Sequence, residues 1–224
     1  MPNLNKSINR SINPSLIKEI SLIYETKESK VSEAVNIIIP SLLGILMKKK
    51  NKFSLIEDLF IEAEKTHILS DQKQLLTANS DSEELKIGES FLQFLVGDEF
   101  LFFSDRIAEK IQISEKPVKR LISVITPVIV AYIGDKFINE NWTKQQLFDD
   151  LEKEKSYYQI IIPQDLIITF NLWPALNAAP RKKRKKVYKP SRFIRVICLV
   201  LLFLLILIWR YCNEGSIQTI PVFQ

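Results

Sequence analysis

Histidine, cysteine and glycine are scarce in this chain of 224 residues, which has one histidine, two cysteines and five glycines. Five glycines argue against glycine-rich nucleotide-binding loops and against folds made of many tightly connected strands. Cys198 lies inside an apolar run and Cys212 just beyond it, a spacing that fits neither a disulfide framework nor a metal site. His67 lies in a polar segment without a second histidine or cysteine, so zinc coordination and serine–histidine catalysis lack support.

Catalytic motifs are also missing, since the chain contains no Walker loop, dinucleotide fingerprint or nucleophile elbow. Two acidic clusters could in principle hold a hard cation. They consist of Glu57, Asp58, Glu62 and Glu64, and of Asp149, Asp150, Glu152 and Glu154. Interspersed lysines such as Lys153 and Lys155 indicate solvated helix faces instead. We therefore expect a protein that is not an enzyme and has no cofactor or metal; the alternative is an enzyme with carboxylates in a helical cleft.

The net charge of +5 is distributed very unevenly along the chain. Nine cations and no acid lie in residues 181–195, which we call the basic neck. These cations are Arg181, Lys182, Lys183, Arg184, Lys185, Lys186, Lys189, Arg192 and Arg195. This leaves 22 of the 31 basic residues against all 26 acidic ones, so a mildly acidic body carries an intensely basic neck.

Apolar residues before the neck recur mostly at helical spacing, which predicts an all-α fold. We expect an irregular bundle of about seven helices, the first capped by Asn13 and begun by Pro14. Pro40 is predicted to kink or break the second helix. In the third helix, Leu55 and Leu59 mark the face expected to be buried, with Ala63 as a further candidate. Six phenylalanines are expected to contribute to a core: Phe91, Phe94, Phe100, Phe102, Phe103 and Phe137.

The body is predicted to extend from residue 13 to residue 170. The expected helices cover residues 14–24, 29–49, 54–65, 89–96, 99–111, 114–139 and 143–155, the last with a capping box of Thr143 and Gln146. Two short apolar pieces at 157–162 and 165–170 could be helix or strand. Residues 1–12 are expected to be disordered, without a cleavable signal peptide. Polar residues 67–84 read as a linker, which allows two subdomains, 13–66 and 85–170.

Two helical segments share a common plan, KVSEAVNIIIPSLLGIL and KPVKRLISVITPVIVAYIG. Each has a basic and polar first turn, an apolar stretch with a central proline, and a later glycine. Pro40 and Gly44 in the first would correspond to Pro127 and Gly134 in the second. This likeness is either a two-fold internal repeat or the general similarity of apolar helices.

A membrane-spanning helix is predicted at residues 193–211. Val196–Trp209 contains no polar residue except Cys198, whereas a core helix usually keeps a polar stripe. The nineteen positions would span roughly 28 Å at about 1.5 Å per residue, close to the bilayer core of roughly 30 Å. The residues suited to the two interfaces are Phe193, Trp209, Arg210 and Tyr211.

The basic neck has three interpretations, and the first is preferred. Cations that precede a spanning helix keep the preceding domain on the cytoplasmic side and attract anionic lipid. Residues 171–192 would then be a proline-containing polybasic linker and 212–224 a short tail outside the cytoplasm. The stretch PRKKRKKV also matches a nuclear import signal. Finally, the neck could grip nucleic-acid phosphates, but few aromatic residues accompany it, so nucleic acid is an unlikely partner.

The predicted helical part of the sequence resembles the bacterial domain-of-unknown-function family 937, which is related to the YidB-like proteins. The resemblance rests on SKVSEAVNIIIPSLLGILMKKK, IQISEKPVKRLISVITPVIVAYIGDKF and NWTKQQLFDDLEKEKSYYQIIIPQDL, and covers roughly residues 14–170. It implies an all-helical fold, a bacterial source and no established activity. Members of the family are typically richer in glycine and alanine between helices than this chain.

Together these features predict a membrane-anchored helical interaction or scaffold module of a bacterial inner membrane. The anchor would pass the membrane once, and the body would lie in the cytoplasm. Its expected partners are the membrane and either another protein or a second copy of the chain.

Overall fold

The computed structural model describes residues 3–79 and 81–173, and every regular element within these ranges is a helix. The α-helices are α1 (Leu4–Ser11), α2 (Pro14–Ile23), α3 (Glu28–Lys48), α4 (Glu57–Lys65), α5 (Gln74–Thr77), α6 (Glu83–Leu95), α7 (Phe100–Ile111), α8 (Glu115–Ile138), α9 (Lys144–Lys153), α10 (Lys155–Ile161) and α11 (Gln164–Thr169). Short 3-10 helices cover Lys50–Leu55 and Gly97–Glu99. The predicted all-α class is therefore confirmed, although seven helices was too low a count.

Helices α3 and α8 form the centre of the fold and contact each other. Both have almost no polar side, and α4, α6 and α7 pack against α8 while α1, α2, α9 and α10 contact α3. Among the described residues, these two helices are long and apolar enough to cross a membrane by length and composition. Most of each is buried inside the body, which is how a helix without a wet face is accommodated in a core.

The two central prolines lie within continuous helices. Pro40 is enclosed in α3 and Pro127 in α8, and both side chains are buried. Pro40 was predicted to kink or break its helix; the break is wrong, because α3 continues through Pro40, and the kink stays a prediction. A proline in a helix interior costs about 3 kcal/mol, because one backbone hydrogen bond is missing and the ring clashes with the carbonyl four residues earlier. Burial of the surrounding apolar residues on both sides outweighs that cost.

Two glycines let helices approach α8 closely. A Cβ atom at Gly134 would lie 2.1 Å from the backbone oxygen of Phe60, so α4 crosses α8 at that point. A Cβ atom at Gly88 would lie 2.6 Å from Cδ of Pro127, where α6 meets α8. Gly44 of α3, the expected counterpart of Gly134, meets side chains of Ile162 and Trp173 rather than a helix backbone. The internal repeat therefore stays a prediction.

An aromatic cluster fills the space around α4. Phe60 stacks on Phe53 with ring centroids 5.3 Å apart and meets Phe91 and Phe137 edge-on, while Phe148 packs edge-on against Phe53. The burial predicted for Leu55 was wrong, because its side chain is 73% exposed. The helix α4 begins only at Glu57, so Leu55 lies in the preceding 3-10 turn; Phe60 is buried, and so is Ala63, as expected.

Of the six phenylalanines expected in the core, Phe91 and Phe103 are fully buried. The other four pack against the core while partly exposed: Phe94, Phe100, Phe102 and Phe137.

The N-terminus is a helix, which corrects the prediction that residues 1–12 are disordered. Asn3 caps α1 through its side chain, which accepts a hydrogen bond from the backbone of Lys6. Leu4, Ile8 and Ile12 are buried at one helical face. Eight residues would not form a stable helix alone, so packing of these apolar side chains against α3 and α8 holds α1 in place.

Residues 67–79 belong to the same compact unit as the rest of the body, which extends from Met1 to Leu176. Ile68 and Leu75 are buried, and α5 forms within this segment. The Gln72 side chain donates to the carbonyl of Ser11 at 2.6 Å and accepts from the backbone N–H of Asn13 at 2.8 Å. The predicted linker is thus tied to the junction of α1 and α2, and the division into two subdomains is wrong.

The ambiguous pieces near residue 160 are both helical, forming α10 and α11. Leu172 and Trp173, assigned to the polybasic linker by the sequence, are buried and belong to the body. Two cap predictions are confirmed, because Asn13 with Pro14 begins α2 and Thr143 with Gln146 forms the capping box of α9.

Candidate functional site

The residues that the sequence singled out for membrane contact lie outside the described residues. They are the nine neck cations Arg181, Lys182, Lys183, Arg184, Lys185, Lys186, Lys189, Arg192 and Arg195, and the interface residues Phe193, Trp209, Arg210 and Tyr211. The predicted segments 193–211 and 212–224 lie there too. The candidate sites described next are therefore features of the body.

A cleft of about 420 Å³ opens between α6, α8 and the segment that follows α5. Small-molecule sites in proteins usually have volumes of about 300–1,000 Å³. Leu85, Leu92 and Phe100 line the apolar part of the cleft, and Glu89 and Gln93 lie among them. Four of these residues follow one another at helical spacing along one face of α6. We call this space the Arg120 cleft, after the cation that lines it.

Arg120 is half-buried in the second turn of α8. Its Nη2 atom donates to the backbone oxygens of Leu75 at 3.0 Å and Leu76 at 2.6 Å, both on α5. These two bonds hold the guanidinium in place and occupy one of its three nitrogens. Within the described residues, no carboxylate lies within ion-pair distance of Arg120. The arrangement therefore places a fixed, uncompensated positive charge beside an apolar wall.

The acid expected to repel an anion in this cleft is Glu89. Its side chain is exposed, and water screens an exposed charge strongly. Gln93 and Ser123 are the remaining polar side chains of the lining. The cleft thus combines one half-buried cation, one solvated acid and neutral hydrogen-bonding groups.

A second notable group is the buried carboxylate of Glu154, which is 5% exposed. It accepts a hydrogen bond from the backbone N–H of Asn5 at 3.2 Å and another from the Tyr158 hydroxyl at 2.9 Å. Burial raises the pKa of Glu154 above its usual value, although these hydrogen bonds act in the opposite direction. Burial and the neighbouring Glu154 also raise the pKa of the Tyr158 hydroxyl. Both groups are engaged in holding α1 on the body.

The acids expected on solvated helix faces are only partly exposed, since Asp150 and Glu154 of the second cluster are both buried. Glu57, Asp58 and Asp149 are exposed, whereas Asp150 is buried and accepts a hydrogen bond from Lys153 at 3.1 Å. In the described part of the chain, no group of three or more histidine, cysteine or acidic residues is arranged to hold a metal ion.

Arg106 forms the densest set of ion pairs on the surface of the body. It pairs with Asp105 at 2.7 Å and with Glu109, and lies 3.8 Å from Asp165 of α11. Its guanidinium also covers the ring of Phe102 at 5.4 Å. These acids raise the pKa of Arg106 further above its usual value, chiefly through the hydrogen bond that Arg106 donates to Asp105. These ion pairs neutralise the charge of Arg106, and the one with Asp165 connects α7 to α11.

Sequence reasoning missed the Arg120 cleft. In the sequence, Arg120 was noted only as part of the basic first turn of α8, the helix that resembles α3. The signal available was a cation followed directly by the mostly apolar stretch of α8. Nothing local shows that α5, far away in sequence, supplies the two carbonyl groups that fix it.

The described body is an all-α domain, built around two buried helices and carrying one partly apolar cleft with a cationic wall. The chain belongs to the family of bacterial proteins of unknown function named DUF937, whose model matches residues 6–136, more than half of the 224 residues. The match runs from α1 into α8, so it confirms the family resemblance but begins earlier and ends earlier than residues 14–170. No curated protein and no solved structure matches the chain significantly.

Proposed function

We propose that this protein is a non-enzymatic helical interaction module tethered to the cytoplasmic membrane of a bacterium. Residues 193–211 form the tether, and the body lies in the cytoplasm. The observation that carries the proposal is the sequence Val196–Trp209, which has no charged residue and directly follows the basic neck.

The energetics of insertion support this tether. Fourteen apolar residues contribute roughly −4 to −8 kcal/mol at about −0.3 to −0.6 kcal/mol each. The arginines at the two ends, Arg195 and Arg210, can extend their side chains to the headgroups, which reduces their cost. The neck adds attraction to anionic lipid of about 1 kcal/mol for each cation near the surface.

The structure of the body adds a second argument. Helices α3 and α8 have the length and hydropathy of membrane spans, yet most of their surface is packed inside the body. Inserting either one would require the core to come apart. We therefore assign membrane attachment to residues 193–211 and not to the body.

A partner contact on the body is proposed at the C-terminal end of α2. Leu22 is 68% exposed and the adjacent Ile23 is 62% exposed. Single exposed apolar residues are common on soluble surfaces, but two large ones side by side form a small apolar patch. This patch is a candidate contact for a partner protein or for a second copy of the chain.

Cell fractionation of full-length variants tests the tether. Replacing Leu202 and Leu205 by aspartate adds about 5–7 kcal/mol to the cost of insertion, so the variant should move from the membrane fraction to the soluble fraction. The double variant Leu22→Asp with Ile23→Asp makes the same charge change on the body and should remain in the membrane fraction. Wild-type protein in the soluble fraction would contradict the tether.

Orientation is tested with a reporter that is active only outside the cytoplasm, fused after Gln224. The fusion should be active in the wild type, because nine cations precede the apolar segment and Arg210 follows it. Replacing the six cations of 181–186 by glutamine should lower the active fraction. An inactive, membrane-bound wild-type fusion would contradict the proposed orientation.

The interaction role is tested by cross-linking in native membranes. A specific cross-linked species should form with the wild type and be lost in the Leu22→Asp, Ile23→Asp variant. Leu55→Asp, which changes an exposed leucine elsewhere on the body, provides the matched control. Equal cross-linking in all three proteins would exclude the α2 patch as the contact.

A further inference from the structure

The Arg120 cleft has the features of a binding site for a small amphiphilic anion. The positive charge is held rather than mobile, because two backbone carbonyls of α5 accept hydrogen bonds from Nη2 at 3.0 and 2.6 Å. A guanidinium that is already ordered loses little side-chain entropy when it binds an anion. In the described residues its other two nitrogens, Nη1 and Nε, form no hydrogen bond with a protein group.

The apolar side of the cleft is built by α6 and the start of α7. Leu92 is nearly buried, whereas Leu85 and Phe100 are only half-buried, so part of their apolar surface faces the open cleft. Covering such surface is favourable in proportion to the apolar area removed from water. A ligand that fits both sides therefore needs an anionic head and an apolar body.

We propose that the Arg120 cleft binds an amphiphile with a single negative charge, whose carboxylate or phosphodiester pairs with Arg120. Its apolar body lies against Leu85, Leu92 and Phe100. The volume of about 420 Å³ is near the lower end for small-molecule sites, which fits one chain or a small ring system. This site belongs to the body, and the proposal does not depend on the membrane tether.

Glu89 limits the charge that the ligand can carry. Its carboxylate lines the same cleft as Arg120 and is solvated. A head with one negative charge can pair with Arg120 and face away from Glu89, but a second charge would add repulsion. Neutral amphiphiles gain no ion pair and should bind more weakly than anionic ones of the same length.

Photo-cross-linking in full-length protein tests the proposal at the level of individual residues. The purified protein is mixed with nanodiscs of zwitterionic lipid, whether or not it inserts into them, and is exposed to decanoic acid that carries a diazirine, or to the matching diazirine decanol. Mass spectrometry then locates the label. We expect the acid to label residues 83–100, and to do so at least tenfold more than decanol.

Variants separate the charge effect from general partitioning into the lipid. Arg120→Gln should reduce labelling of this segment at least tenfold, whereas Lys116→Gln, which removes an exposed cation from the same helix, should leave it unchanged. Glu89→Gln should increase labelling. Leu85→Trp fills the apolar side without altering Arg120, and should also abolish labelling if the variant retains its helical circular dichroism.

Two results would overturn the proposal. One is equal labelling of wild type and Arg120→Gln, and the other is equal labelling by the acid and by decanol. A further arm distinguishes the two sources of such a head. If the natural occupant is a membrane phosphodiester, nanodiscs of phosphatidylglycerol should compete with the labelled acid; if it is a free acid, they should not.

Discussion

The backbone N–H of Asn5 donates to the carboxylate of Glu154 at 3.2 Å, across 149 positions of sequence. Glu154 thereby caps the N-terminus of α1, where unpaired N–H groups and the helix dipole favour an acceptor. The same carboxylate receives the hydroxyl of Tyr158 at 2.9 Å. One side chain from the end of α9 thus holds the first helix of the chain against the body.

Glu154→Gln should leave stability at pH 7 unchanged or raise it. Burial raises the pKa of Glu154, so the folded protein binds this proton more tightly than the unfolded chain does. The resulting stabilisation is present below the unfolded pKa of about 4.5, and is lost as the pH rises through the folded pKa. Glutamine carries no charge; its Oε1 can accept from Asn5 while its Nε2 donates to the Tyr158 oxygen. The dependence of the free energy of unfolding on pH should therefore become flatter in that window.

Denaturant unfolding of the full-length protein between pH 4 and pH 8 measures this effect. Glu152→Gln is the control, because Glu152 is exposed on the same helix. If Glu154→Gln lowers the free energy of unfolding at pH 7 by more than about 1 kcal/mol, the ionised carboxylate is a net stabilising group, and the prediction is wrong.

Alanine at the three buried glycines should destabilise the fold in a defined order. Gly134→Ala should cost most, about 1–3 kcal/mol or more, because its Cβ atom would lie 2.1 Å from a backbone oxygen of α4. Gly88→Ala should follow, since the ring of Pro127 at 2.6 Å is stiff. Gly44→Ala should be near neutral: the Ile162 methyl at 3.0 Å can move, and alanine favours a helix by about 1 kcal/mol. Thermal unfolding gives the order, and a near-neutral Gly134→Ala would contradict the close crossing of α4 and α8.

Phe60→Ala should destabilise the protein by about 3–5 kcal/mol, as expected for a buried aromatic residue. Its ring is fully buried and contacts Phe53, Phe91 and Phe137. Leu55→Ala should change stability by less than about 0.5 kcal/mol, because Leu55 is exposed. Comparing the two free energies of unfolding tests the register of α4 directly. A larger loss of stability for Leu55→Ala than for Phe60→Ala would show that Leu55 faces the core, as the sequence predicted.

Ile8→Ala should cost about 2–5 kcal/mol, because Ile8 is fully buried in α1. Lys6→Ala, at an exposed position of the same helix, should have little effect. Hydrogen exchange of the amides of residues 4–12 provides a second measurement. Rapid exchange in the wild type, together with a neutral Ile8→Ala, would show that α1 does not contribute to the folded body.

Local signals in the sequence were sufficient where the physics is local. Caps depend on side chains a few positions away, so the starts of α2 and α9 could be predicted from Asn13 and Thr143. The apolar length of α3 and α8 likewise announced buried or membrane-bound helices. For these two helices, the sequence alone did not distinguish burial in a protein core from insertion into a membrane, because both environments favour the same apolar residues.

By itself, the sequence determined the all-α class, the family, most helix boundaries in the body and the asymmetry between an acidic body and a basic neck. Only the tertiary structure decided that α1 is ordered, that Phe60 rather than Leu55 faces inward, and that Arg120 stands beside an open cleft. Each of these depends on groups far apart along the chain, such as Asn5 with Glu154 or Arg120 with Leu76. Periodicity reports only which face of a helix is apolar, whereas the partner of that face is chosen by packing of the whole chain.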